Sequence, residues 1–85
     1  MDDLVKPLKA LGDESRVKML WMLEDKPLCS CEIQEAVGLA QSTVSQHLKV
    51  LKDAGLIRGD VDGPRVCYCI EPRALRRLKA LVGGL

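Results

Sequence analysis

Four cysteines stand in two pairs of identical spacing, Cys29 and Cys31 in "PLCSCEIQEAV" and Cys67 and Cys69 in "RVCYCIE". Thiolates are the preferred ligands of soft cations, and several gathered at one point select such ions over harder metals. The same thiols can instead pair as a redox-sensitive disulfide. Where thiols stay reduced, paired cysteines are more often ligands or redox groups than structural bridges. A plainer alternative stands beside these: free cysteine often behaves as a small buried hydrophobe. Enzymatic chemistry finds no support, because there is no C-x-x-C, no nucleophile–base pair and no phosphate loop.

The chain that must position these thiols has 85 residues, enough for one domain, residues 1–85, and one modest core. So short a domain is marginal alone, and dimerisation is expected. With 47% hydrophobic and 29% charged residues it should fold. The net charge of +1 means that any basic face must be local. No apolar run approaches the roughly 20 residues of a membrane span. The start "MDDLVKPLKAL" is acidic and amphipathic, neither signal peptide nor anchor. A cytoplasmic protein without a membrane partner is the expectation.

Leu4, Leu8 and Leu11 lie at helical spacing, closed by Gly12, with Pro7 near the start. In "DESRVKMLWMLED", Asp13 can cap a second helix with Val17, Leu20, Trp21 and Leu23 on its apolar face, ended by Pro27. Leu28 to Ser30 allows a scrap of strand. "CEIQEAVGL" reads as a two-turn helix, with Ile33, Ala36 and Val37 inward and Gly38 as C-cap. "QSTVSQHLKVLKDAG" follows after a tight turn, with Val44, Leu48 and Leu51 as its inner stripe. "LIRGDVDGPRVCYCI" then changes period from 3.6 to 2, with Asp62–Gly63 as a hairpin turn signal. "PRALRRLKALV" is a final helix carrying Leu75, Leu78, Leu81 and Val82 on one side. Two helices joined by a glycine-containing turn form a helix-turn-helix. The hairpin directly after makes the fold mostly α with a small β-hairpin, a winged helix-turn-helix.

The helix from Gln41 has a second chemistry. Opposite its inner stripe it offers Gln41, Ser42, Thr43, Ser45, Gln46 and Lys49: short hydrogen-bonding side chains, no acid, one cation. A helix in the major groove of DNA needs such groups on its N-terminal half, and its own N–H groups can hold a phosphate. Ordinary solvated faces mix Glu with Lys, yet Glu is absent from residue 36 to residue 70. His47, the only histidine, lies beside the inner stripe and suits packing or a phosphate contact better than metal ligation. Arg58 and Arg65 flank the hairpin, and Arg65 near its tip can reach backbone or minor groove.

"LKALGDESRVKMLWML", "PLCSCEIQEAVGLAQSTVSQHLKVLKDAGLIRG" and the wing after them resemble the ArsR/SmtB family of bacterial metal-responsive repressors over nearly the whole chain. "LCSCE" resembles the metal-binding motif of the arsenic- and cadmium-responsive members, with Cys29 and Cys31 on its C-x-C pair. The resemblance implies a homodimer built from the first and last helices. It also implies operator DNA bound without inducer, and release when a thiophilic ion binds. The arsenic-type motif often adds a cysteine three residues later, where this chain has Gln34; a frequent capping serine is here Ala40. The family's other site, carboxylates and histidines on the last helix, has no counterpart in "RALRRLKALV".

By alternation Val66, Tyr68 and Ile70 share the core face of their strand, leaving Cys67 and Cys69 on the outer face. In winged-helix folds the short strand before the third helix pairs with the second wing strand. The expectation is therefore one site in which Cys29, Cys31, Cys67 and Cys69 converge on a soft ion. The resemblance favours arsenite, for which three thiolates suffice; antimonite, cadmium, lead or mercury are the others, and four thiolates would suit zinc or cadmium equally. No organic cofactor is expected. The competing reading keeps DNA binding and makes the signal a redox or reactive-sulfur one, through a disulfide from Cys29 to the wing.

Overall fold

Local signals decide where each element begins and ends. A computed structural model describes residues 2–83, except for the side chains of Asp2, Asp3, Leu4, Asp62 and Val82. The first helix, α1, spans Asp2–Ala10. Pro7 lies well inside it rather than near its start; the ring's missing N–H removes one bond from a helix only nine residues long. The second, α2, spans Glu14–Asp25 and is capped by Asp13, whose carboxylate accepts from the N–H groups of Ser15 at 2.8 Å and Arg16 at 3.4 Å. A two-residue strand β1, Leu28–Cys29, leads straight into α3, Ser30–Val37. Gly38 closes α3 at φ 71°, a left-handed conformation that a side chain disfavours. Helix α4, Gln41–Asp53, follows after three residues. The hairpin pairs β2, Ile57–Asp62, with β3, Arg65–Ile70, and α5, Pro72–Gly83, ends the fold.

The three strands form one antiparallel sheet in the order β1-β3-β2. Asp62 pairs with Arg65, so the turn is Gly63–Pro64, one residue later than Asp62–Gly63. Proline cannot serve the ladder, and the turn absorbs it, with Gly63 taking φ 62°. On the core face Gly59 lies opposite Tyr68, where a Cβ would meet the ring at 3.1 Å. The missing side chain is what lets the tyrosine lie down across β2.

The core joins Ala10, Met19, Leu20, Leu23, Leu28, Ile33, Val44, Leu48, Leu51, Leu56, Ile57 and Leu78. The inner stripe of α4 is as expected. Trp21 is not: it is 70% exposed, while Met19 is fully buried. The buried face of α2 is centred between positions 19, 20 and 23, and Trp21 falls on its far side at about 100° per residue. Ala36 also faces solvent. Leu78 belongs to this core, whereas Val5 and Leu8 of α1 stay 43% and 44% exposed. The apolar faces assigned to Leu4 and Val82 lie outside the described side chains.

Candidate thiol site and nucleic-acid face

The strand-to-helix transition at Cys29 shapes the first pair. Cys29 is the N-cap of α3, in extended conformation, and Cys31 is already helical. That bend brings the two sulfurs to 3.0 Å. Glu32, the third residue of α3, reaches back: its Oε1 accepts the Cys29 N–H at 3.1 Å and the Cys29 S–H at 3.0 Å. A thiol has one hydrogen. If Cys29 donates to Glu32, Cys31 must donate to Cys29, making a relay from Cys31 through Cys29 to the carboxylate. The bond from Cys31, then that to Glu32, pushes the Cys29 thiol above its ordinary range. The Glu32 carboxylate is held below its ordinary range, chiefly by the Cys29 side chain and backbone N–H, against desolvation; Lys26 and Arg65 add to the depression. Cys29 is 3% exposed; Cys31 is exposed.

The second pair lies in extended chain, so both thiols share the outer face of β3, each half-buried, with different neighbours. Cys67 is the direct cross-strand partner of Cys29. Cys69 pairs across β2 with Arg58, whose Nε–H donates to its sulfur at 3.1 Å. That bond, with Cys69, Asp60 and Glu71 as neighbouring charges, raises the guanidinium further above its already high range. Asp60 and Glu71 lie 3.8 and 3.7 Å from Arg58 Nε. Cys69 also lines an open groove of about 490 Å³ with Leu23, Lys26, Pro27, Leu75 and Arg76. Thus Cys29 and Cys31 are in contact, Cys67 is paired with Cys29 across the β1–β3 ladder, and Cys69 is engaged two residues further along β3. Among the described residues no three cysteine, histidine or carboxylate side chains stand ready-gathered as ligands.

Glu32 was missed in the sequence. Its signal, a capping box with the acid three residues after the cap, was present but disguised by cysteine standing in the place of serine or threonine.

On α4, Gln41, Ser42, Ser45, Gln46 and Lys49 are exposed, and Thr43 and His47 are half-buried. Ala40 provides no side-chain cap and no acid lies in the first turn, so the helix's leading N–H groups have no capping side chain. Arg65 is exposed at the start of β3 beside the wing turn. The arrangement offers a polar helix face and, beside it, a wing that exposes Arg65.

Comparison with known proteins agrees with this architecture. The description "Bacterial regulatory protein, arsR family" matches residues 13–58. The transcriptional regulator KmtR of Mycobacterium tuberculosis is 37% identical over 75 residues, 88% of this chain and 58% of its own. A cadmium resistance regulatory protein, the CadC homolog of Staphylococcus aureus, is 31% identical over 89% of this chain and 64% of its own. An arsenic resistance transcriptional regulator of Pseudomonas putida is 32% identical over 91% of this chain and 61% of its own. The chain thus spans about three-fifths of these curated relatives' length. Among solved structures, HlyU from Vibrio cholerae superposes with a TM-score of 0.82 at 31% identity, covering 94% of this chain and 88% of that one. The homodimeric winged helix-turn-helix DNA-binding domain of a possible ArsR-family regulator from Mycobacterium bovis gives 0.85 at 32% identity, covering 96% and 76%. The chain is a winged helix-turn-helix protein and belongs to the ArsR family of bacterial regulatory proteins.

Proposed function

We propose that the chain is a transcriptional repressor that binds operator DNA as a homodimer and lets go when a thiophilic ion is captured by Cys29, Cys31 and Cys67, with arsenite as the first candidate. One observation carries the ion reading: the sulfurs of Cys29 and Cys31 lie 3.0 Å apart, and Cys67 is the cross-strand partner of Cys29. Two sulfurs in contact, with the Cys67 thiol on the residue paired across the sheet, supply the donors of a trigonal thiophile once the Cys67 side chain turns toward them, and the set contains no imidazole to favour harder metals. The names of the cadmium- and arsenic-resistance relatives point the same way. Cys69, occupied by Arg58, is left as an accessory.

The DNA reading rests on Gln41, Ser42, Thr43, Ser45, Gln46, His47 and Lys49 as the face entering the major groove, with Arg65 on the backbone or minor groove. Exposed Val5 and Leu8 on α1 supply apolar surface for a second copy. Such a protein works in the cytoplasm, where DNA is found and thiols are reduced.

Operator binding measured with and without arsenite tests both halves. The wild-type protein should bind tightly alone and lose at least tenfold in affinity with arsenite, a coupling of about 1.4 kcal/mol. Gln46→Ala should weaken operator binding by about 1–3 kcal/mol if it reads a base. Binding that ignores arsenite but falls on mild peroxide would hand the site to the redox reading. Leu8→Asp should yield a folded monomer that binds a half-site poorly.

A further inference from the structure

Cys29 holds two posts that exclude each other. It is the N-cap of α3, tied by its N–H and its S–H to the single oxygen Oε1 of Glu32. It is also, on the reading above, the central ion ligand, between Cys31 in its own chain turn and Cys67 across the sheet. A thiol that donates to a carboxylate cannot at the same time bind an ion through that hydrogen's place. Capture replaces the S–H bond of Cys29 with a sulfur–ion bond, and the proton leaves to solvent. Glu32 Oε1 then loses one of its two donors from Cys29 and faces an electron-rich sulfur at the distance where it had a hydrogen bond.

We propose that Glu32 is the positioning residue that couples ion capture to DNA release, holding the Cys29 thiol and the first turn of α3 together in the ion-free protein and being forced off when Cys29 takes the ion. The inference rests on the ion site proposed above and names the part that transmits its signal. The path is short. Helix α3 is the first helix of the helix-turn-helix, only eight residues long, with Ile33 fully buried against the same core as Val44 and Leu48 of α4. A turn lost from its start is a large fraction of the helix, and the reading helix packs on what remains. Expelling Glu32 from Cys29 thus disturbs the start of α3 and, through the shared core, the reading helix packed on it.

Glu32→Gln separates holding from expulsion. Glutamine is an accepted residue at this position of a capping box, and its carbonyl oxygen can accept from both Cys29 donors. It carries no charge, and its amide can donate to a metal-bound sulfur, so it need not leave. The probe is cadmium ion, followed by thiolate-to-metal charge-transfer absorbance, with operator affinity measured on the same samples and helix content checked by circular dichroism. Glu32→Gln should fold, bind operator like wild type in the absence of cadmium and bind cadmium with the wild-type number of sulfurs. Its operator affinity should fall at least fivefold less on cadmium binding than that of wild type. Glu32→Ala, which cannot hold the cap, should bind operator more weakly before cadmium is added and lose little more afterwards. Wild-type release by Glu32→Gln would overturn the proposal. So would loss of cadmium by that variant, because Glu32 would then be a ligand. A wild-type protein that shows no thiolate–cadmium absorbance would instead overturn the ion site itself.

Discussion

The two C-x-C pairs have the same spacing and opposite fates. Cys29 and Cys31 span a bend from strand into helix, which folds two residues' worth of chain back until the sulfurs lie 3.0 Å apart. Cys67 and Cys69 sit in a continuous strand, where alternate residues share a face but stand about 6–7 Å apart along it. Each therefore answers to the strand beside it: Cys67 to Cys29 on β1, Cys69 to Arg58 on β2. A spacing of two makes a chelating pair only where the backbone turns.

The harshest way to break this comparison is to remove the bent pair. Cys31→Ser should leave operator affinity within about twofold of wild type while abolishing release by arsenite, a loss of all of the roughly 1.4–2.8 kcal/mol of coupling that a tenfold to hundredfold response requires. A variant that still responds would show the strand pair to be the sensor. The two strand cysteines come next and should differ from each other. Cys67→Ser should reduce the arsenite response at least tenfold, and Cys69→Ser by less than about twofold, in paired operator titrations. Equal effects would mean that the ion draws Cys69 away from Arg58 into a four-sulfur site.

A smaller change sharpens the contrast between sensing edge and wing. Arg65→Ala should weaken specific and non-specific DNA alike, with a salt dependence shallower by about one unit of slope. The cysteine variants should leave that slope unchanged.

The smallest effect is one of pH on the ion-free protein, read by amide exchange at the start of α3. The depressed Glu32 carboxylate contributes stability above the ordinary carboxylate range and loses it as pH falls through its folded value. The raised Cys29 thiol contributes below the ordinary thiol range and loses it as pH rises through its folded value. Protection should therefore be greatest between the two, and Glu32→Gln should remove the acid limb while leaving the alkaline one.

Much of this was legible in the sequence because it depended on local chemistry. Asp13, Gly38 and Gly55 punctuate helices wherever they occur, and the change of period after Gly55 announces strands in any context. Together they determined a winged helix-turn-helix, the polar outer face of α4, and two cysteine pairs brought near one another. The remainder depended on what each group meets after folding. The far side of α2 keeps Trp21 out of the core because the helix axis is set by Met19, Leu20 and Leu23. Pro64 moved the hairpin turn by one residue because a ladder needs N–H donors that proline lacks. Glu32 acquired its place because cysteine, an unusual helix cap, happened to fill the cap position. Residue types and spacing determined that the chain carries paired thiols and a helix with an acid-free polar face. Only the tertiary structure decided which thiols are partners, because partnership in a sheet is set by register between strands almost forty residues apart.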